Sequence, residues 1–497
     1  MTSFSCQSAR RASPPPLQLR KMIDMPTENT SPRPSAQAPI RIAIVGHTNV
    51  GKTSLMRTLL RDSRFGEVSN HPGTTRHVEA ASILCRDQAV IELHDTPGLE
   101  DSIGLRSALE SLPAGRDDTG QTRLRQFIAH ADEFAELDQE LKVVRQLLAS
   151  DLLFYVIDVR EPLVGKYRDE LYVLSLAGKA VIPVLNFIHQ FPNHSMQWRE
   201  YLGQLNFHAQ VQYDTVVFRL EDEKRLFQKI QSLLGEQYDR VQQLIDERHA
   251  QALQIRRASA AAVAELIINV GSYRKTLSAA TATLPEIEKN EVIALQDLTR
   301  QAEQVCTRQI IKLHRFAPDD VREAFLPVQD GSWKLDLFDV NTLRTFGVEA
   351  SSGAAKGAAV GAVLDGLTGF ISLGAAAATG ALAGALFSTG ARYGRDLQAA
   401  VTGKRTLCVD EPTLRLLWLR QLQLLTDLGS RGHAMQVQMQ MTSVDASDLP
   451  KAWNSWLRQM RANANWSELA PDNRKRAADP GRSALASAIA EHLFASV

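Results

Sequence analysis

The chain is predicted to be an α/β domain, with a mostly parallel sheet and flanking helices, followed by a mainly α-helical region that carries a Gly/Ala-rich helical hairpin. Three observations support this. Apolar runs alternate with helical patterns from Arg41 to Gly235, helical periodicity continues from Glu236 to His314, and small residues dominate from Ser351 to Gly394. A chain of 497 residues exceeds one ordinary core. The expected divisions are a disordered tail over 1–39, the α/β domain over 40–235, a helical domain with long antiparallel helices over 236–345, the Gly/Ala-rich segment over 346–400 and a further helical region over 401–497.

The tail is rich in Ser, Pro and Arg and has no apolar stretch to serve as a signal-peptide core. An organellar transit peptide is a second reading, opposed by the prolines. Initiation at Met22 or Met25 is a third. The expected strands are "RIAIV" (41–45), "VEAASILC" (78–85), "AVIELHD" (89–95), "LLFYVIDV" (152–159), "AVIPVLN" (180–186) and "AQVQY" (209–213). "GKTSLMRTLL", "DQELKVVRQLLA" and "KRLFQKIQSLL" have helical spacing. The polar stretch from Leu99 to Ala135 is long for a connection, and such connections tend to be functional or mobile. Beyond it lie two long helices parted near Pro285, a loop region "DGSWKLDLFDVNTLRTFGV", the Gly/Ala-rich segment and the helix "PTLRLLWLRQLQLLTDLG". The remainder, polar with a few Trp, reads as helical.

Lys+Arg and Asp+Glu number 56 each, so no global charge draws the chain to nucleic acid, and DNA is not expected as a partner. The short basic clusters Arg256–Arg257 and "NRKR" read as solvated faces. Cys6, Cys85, Cys306 and Cys408 are scattered, which indicates neither disulfides nor a zinc site and favours the cytosol.

The chemistry begins at "GHTNVGKT", residues 46–53, which fits GxxxxGKS/T between a strand and a helix. Gly46 and Gly51 let the backbone wrap so that N–H groups point at phosphates, aided by the helix start. Lys52 would bridge the outer phosphates, and Thr53 would hold Mg²⁺. The strand "AVIELHD" ends in "DTPG": Asp95 supplies the carboxylate that the Mg²⁺ shell needs, and Gly98 can offer its N–H to the terminal phosphate. Between them, "HPGTTRHVE" offers Thr75, with Thr74 as the fallback, to close over the nucleotide and reach Mg²⁺.

GHTNVGKT, PGTTRH and DTPGL together resemble the Era-like and TrmE-like bacterial GTPases, members of the P-loop NTPase class, over Arg41 to Gly235. The remainder resembles a C-terminal domain of unknown function that some bacterial proteins append to such a G domain. The resemblance implies GTP and Mg²⁺ as ligands. It implies contacts from Gly46, His47, Thr48, Asn49, Val50, Gly51, Lys52, Thr53, Ser54, Asp95, Gly98, Asn186 and Phe187, with Lys52, Thr75, Gly98 and Asn49 as the catalytic set. Leu99 stands where many small GTPases have a catalytic Gln, so turnover is expected to be slow without a partner. An Asn at the position of Asn49 helps related enzymes bind K⁺, often as two G domains pair. A K⁺ site and a G-domain homodimer are therefore expectations, beside the alternative that Asn49 only braces the turn.

The family's guanine-reading NKxD motif is altered. "NFIH" keeps Asn186, but Phe187 replaces the Lys and His189 the Asp, and "QYDTVVF" stands in place of the later SAK-type signal. Phe187 can stack on a purine. GTP remains the expected nucleotide, by resemblance rather than by these residues.

In the Gly/Ala-rich segment Gly353, Gly357 and Gly361 lie four apart, as do Gly380 and Gly384, a zipper-like spacing that lets helices approach closely. No charge occurs from Gly366 to Ala391. A packed soluble hairpin and a membrane surface or insertion contact through 353–390 are both open, the latter at the inner membrane. Three functions stand: a GTP-controlled switch with the helical region as effector or membrane-associating part, an RNA-linked GTPase of the ribosome-assembly or tRNA-modifying kind, and a scaffold that holds nucleotide without hydrolysis. Against the second, no convincing GXXG module and no C-terminal Cys are found in "EHLFASV".

Overall fold

The computed structural model describes residues 38–62, 65, 79–113, 115, 118–277, 285–315, 328–329, 332–346, 348, 371–373, 405–429, 449–470 and 479–496. The N-terminal tail, the loop holding Thr74 and Thr75, and nearly all of the Gly/Ala-rich segment lie outside these residues.

Six strands form one sheet: β1 (Ile40–Val45), β2 (Glu79–Cys85), β3 (Gln88–Asp95), β4 (Leu152–Asp158), β5 (Ala180–Asn186) and β6 (Val211–Gln212), in the order β2-β3-β1-β4-β5-β6. All neighbours run parallel except β2 against β3. Parallel strands need crossovers, and the helices that make them cover both faces, which is why β4 is buried along its whole length. Side-chain alternation divides the apolar residues. Ala43, Val45, Leu153, Tyr155 and Ile157 serve one core, and Ile42, Ile44, Phe154 and Val156 the other. The register sets Ile44 of β1 beside Asp95 of β3, which brings the end of β3 to the point where the chain leaves β1.

The helices of this layer are α1 (Lys52–Leu60), α2 (Ser102–Ser111), α3 (Gly120–Ala129), α4 (Asp138–Ala149), α5 (Gly165–Leu176), α6 (Ser195–Gln204) and α7 (Leu220–Leu233). The stretch from Leu99 to Ala135 is thus largely helical, a correction to the long open connection expected. Asp101 caps α2 by accepting from Gly104 N at 2.7 Å, and Thr119 caps α3 by accepting from Thr122 N. Leu105, Leu109, Leu124 and Phe127 then bury a face that the polar composition obscured.

Beyond it come α8 (Tyr238–Ser272), α9 (Pro285–Leu313), α10 (Val340–Thr345), α11 (Glu411–Gly429), α12 (Trp453–Ala462) and α13 (Pro480–Ser496). Pro285 opens α9, where a missing N–H costs no hydrogen bond. The region is not purely helical. Strands β7 (Lys275–Leu277), β8 (Val328–Gln329), β9 (Ser332–Trp333), β10 (Ile371–Leu373) and β11 (Arg405–Val409) make an antiparallel sheet, β10-β11-β7, and a two-stranded ladder, β8-β9. β10 falls inside the segment expected to form a helical hairpin. Among the described residues, no helix is long and apolar enough to cross a membrane. The faces of α8 and α11 that seemed to need an outside partner are covered within the chain: Val263, Ile267, Trp418, Leu424, Trp453 and Trp456 share one core. Trp418 packs against Trp453 and Trp456, with ring centroids 5.9 and 6.1 Å apart.

One helix belongs to both regions. At 35 residues α8 is about 52 Å long at 1.5 Å per residue. Its Val241, Leu244 and Ile245 pack with the sheet, while Val263, Ile267 and Val270 lie in the helical core. Arg248 donates to Leu59 O at the end of α1 (3.1 Å) and lies 3.9 Å from the buried Glu223, which also holds Arg61 at 3.2 Å.

Candidate active site

The loop from Gly46 to Thr53 leaves β1 and enters α1 through three residues with positive φ: Gly46 (145°), Asn49 (65°) and Gly51 (98°). Asn is among the few side-chain residues that tolerate this conformation, a local reason for Asn49. A Cβ on Gly46 would stand 2.5 Å from Val156 O, and one on Gly51 would strike Asn186 Nδ2. Both glycines are therefore required by close approach as well as by φ.

Lys52 is buried and folds back over the loop, its Nζ donating to Gly46 O (3.0 Å) and His47 O (2.8 Å). Burial lowers its pKa, while Asp95, Glu170 and Glu100 act in the opposite direction. Thr53 Oγ1 donates to Asp95 Oδ2 at 2.7 Å. This pair presents hard oxygen donors side by side, the set that suits Mg²⁺. Thr96 Oγ1 ties the DTPG turn to Ile44 O (2.8 Å), and Leu99 N reaches Gly46 O (3.3 Å). Gly98 lies against Thr48, leaving no room for a side chain. Leu99 is fully buried in the core, so its side chain contributes nothing to the site. Val50 is likewise a core residue, and Ser54 sits half-buried in α1, its carbonyl accepting from Thr58 Oγ1.

Three supports were not read from the sequence. Glu140 of α4 accepts from the backbone N–H groups of Glu100 (3.2 Å) and Asp101 (3.0 Å), which anchors the segment after DTPG. Glu170 of α5 accepts from Tyr155 OH (2.8 Å) and lies 3.2 Å from His47 Nδ1, which is also 2.8 Å from Leu99 O. The Glu170 contact raises the His47 pKa against the opposing effect of burial. The third is Arg160, described below. A carboxylate on the apolar stripe of a helix was the available signal: Glu140 sits beside Leu141 and Val143, and Glu170 beside Leu171 and Val173.

At the other end of the site Asn186 is fully buried. Its Nδ2 donates to Val50 O (2.9 Å), and its Oδ1 accepts from Phe187 N, Thr215 N and Thr215 Oγ1 at 2.9 to 3.1 Å. It works as a strut behind the phosphate loop. Phe187, at φ 61°, carries Arg160 on its ring at 3.9 Å, and Asp158 and Gln190 fix the guanidinium. Asp214, near His189, accepts from the N–H groups of His189, Val216 and Val217.

Residues 41–187 match the family model described as 50S ribosome-binding GTPase, and residues 199–491 match that of a domain of unknown function, DUF3482. The second match begins within α6 and so takes in β6 and α7 of the first sheet. GTPase Der of Chlamydia muridarum is 27% identical over 165 residues, 29% of this chain and 33% of that protein. The tRNA modification GTPase MnmE of Mycoplasmoides gallisepticum is 44% identical over 63 residues, 13% of this chain and 14% of that one. The chain thus spans at most 33% of these two relatives' lengths. The crystal structure of Era in complex with MgGDPNP and part of 16S ribosomal RNA is 20% identical and covers 39% of this chain and 56% of that one, with a TM-score of 0.26.

Proposed function

The chain belongs to the DUF3482 family and carries a bacterial P-loop GTPase domain ahead of that domain, and from this premise we propose that it is a Mg²⁺-dependent GTPase acting as a nucleotide-controlled switch. The observation that carries the reading is the phosphate loop itself: Lys52 lies over the Gly46 and His47 carbonyls, with the Thr53–Asp95 pair beside it.

Loop N–H groups and the α1 start attract phosphate, and Lys52 supplies a desolvated positive charge. Thr53 and Asp95 would hold Mg²⁺, which when bound neutralises phosphate charge. Thr75 is proposed to complete that set from its loop. Leu99 cannot orient water, because it is in the core, so intrinsic turnover is slow. The Leu99 N to Gly46 O bond and the Glu140 anchor couple the segment after DTPG to the phosphate loop. From α1 the path to the helical region runs through Arg248 into α8, which supports that region as effector.

Phosphate release from GTP by the wild type and Lys52→Ala tests the reading. A fall of about 100-fold is expected, the scale of losing one electrostatic contact to a developing charge. Equal release would leave a nucleotide-holding scaffold. Asn49 is proposed to hold K⁺ when two G domains pair, and faster turnover in K⁺ than in Na⁺ at equal ionic strength is its test. An RNA-linked role is the second reading, prompted by the descriptions 50S ribosome-binding and tRNA modification among its relatives. Copurifying RNA would favour it.

A further inference from the structure

The six-stranded sheet ends at β6, and among the described residues no strand covers its outer edge. Tyr213 N donates to Leu185 O of β5 at 3.0 Å, and in a parallel pair alternate residues bond the same neighbour. Gln212, between Val211 and Tyr213, therefore turns its N–H and carbonyl away from β5, and it is exposed. A groove of about 860 Å³ runs along this edge, walled by residues of α6 and α7 and sharing none with the nucleotide site.

Arg199 of α6 and Arg225 and Lys229 of α7 stand in its walls, with Glu200 as the one acid among the described lining residues. Arg199 and Lys229 form no ion pair among the described residues, Arg225 reaches only Asp222 at 3.4 Å, and Glu200 pairs with none of the three. Gln210 Nε2 donates to Arg199 O and to Phe207 O, both at 3.0 Å, which fixes the α6 wall against the approach to β6. Met196 at the rim is 84% exposed.

An open edge is a template for another strand, and proteins commonly guard it with charge on the edge strand itself. Here Val211 and Gln212 carry no charge, and the cations sit on the flanking helices, where they leave the edge accessible and surround it with positive charge. The described lining has no Phe, Tyr or Trp on which a nucleic-acid base could stack, so the charge favours carboxylates over RNA.

We infer that this groove takes an extended acidic peptide of a partner protein, added as a strand on β6. Gln212 supplies the main-chain bonds, and Arg199, Arg225 and Lys229 meet the carboxylates of the peptide.

The test uses the full chain and a fluorescein-labelled peptide, Glu-Thr-Glu-Val-Glu-Thr-Glu, with its Lys-for-Glu counterpart as comparison. Anisotropy at low salt should show saturable binding of the Glu peptide and little of the Lys peptide, and hydrogen exchange of the Gln212 amide should slow at saturation. Gln212→Pro removes the outward donor at an edge position that tolerates proline, so affinity should fall about tenfold with cooperative unfolding retained. Arg199→Glu combined with Lys229→Glu should also weaken the peptide about tenfold, with GTP affinity unchanged. Absence of saturable Glu-peptide binding, or equal binding of the Lys peptide, would overturn the surface. Binding that leaves Gln212 exchange unchanged would overturn strand addition, and tighter binding of oligouridylate in competition would overturn the peptide as occupant in favour of RNA.

Discussion

The two ends of the nucleotide site share a wall, where Asn186 stands behind Gly51, yet they are built by opposite means. The phosphate end is mostly backbone: carbonyls hold Lys52, glycines clear the approach, and one hydroxyl and one carboxylate stand ready for a cation. The base end is a stack of side chains, Arg160 on Phe187, with its carboxylates already engaged, Asp158 by Arg160 and Asp214 by backbone N–H groups. Backbone geometry reads any triphosphate, whereas a base edge is discriminated only by polar groups left to meet it. The difference predicts a site strict about phosphate and Mg²⁺ but lenient about the base.

The largest effect is expected at the phosphate end. Thr53→Ala or Asp95→Asn should lower turnover about 100-fold and raise the Mg²⁺ needed for half-maximal phosphate release, since each removes a hard oxygen from the cation site. An unchanged Mg²⁺ requirement would break the comparison at its stronger side. Asn186→Ala, at the shared wall, leaves Val50 O and Thr215 N without their partner and should cost about 2 kcal/mol of stability in denaturant titration.

At the base end, Phe187→Ala should weaken GTP and ATP alike by about tenfold, the scale of one lost stacking contact. Competition of ATP against labelled GTP should give a preference of about 100-fold or less, well short of the 10⁴ or more seen when a pocket hydrogen-bonds the edge it selects. A larger preference would mean that backbone groups read guanine here. The smallest effect concerns pH. Glu170 holds the His47 pKa above 6.5, so the protonated tie between them contributes stability below pH 6.5 that is lost as pH rises through the raised value. Glu170→Gln should lower the NMR titration midpoint of His47 and flatten that slope.

What the sequence revealed follows the same division. Local signals were sufficient where a feature sits in contiguous residues: the six strands and the GHTNVGKT turn that joins β1 to α1 were legible, because apolar runs and turn chemistry are short-range. Glu140, Glu170 and the Arg160–Phe187 stack were not, since each acts through space on a segment tens of residues away or more or depends on a side-chain rotamer. The NFIH departure was visible as a loss, but what replaced it was not. In the helical region, the sheet β10-β11-β7 joins strands from distant segments, so no local period announces it. The Trp418, Trp453 and Trp456 cluster likewise turned a polar C-terminal stretch into core. The expectations for Thr75 and for most of the hairpin fall outside the described residues.

In the proposed switch, nucleotide state is passed from the phosphate loop to the helical region. Hydrogen exchange of the full chain with Mg²⁺ and a non-hydrolysable GTP analogue, compared with GDP, tests it most directly. Slower exchange is expected over Gly98 to Asp101 with the analogue, together with a changed rate in α8 around Arg248. Identical exchange in the two states everywhere beyond residues 46–54 would contradict it.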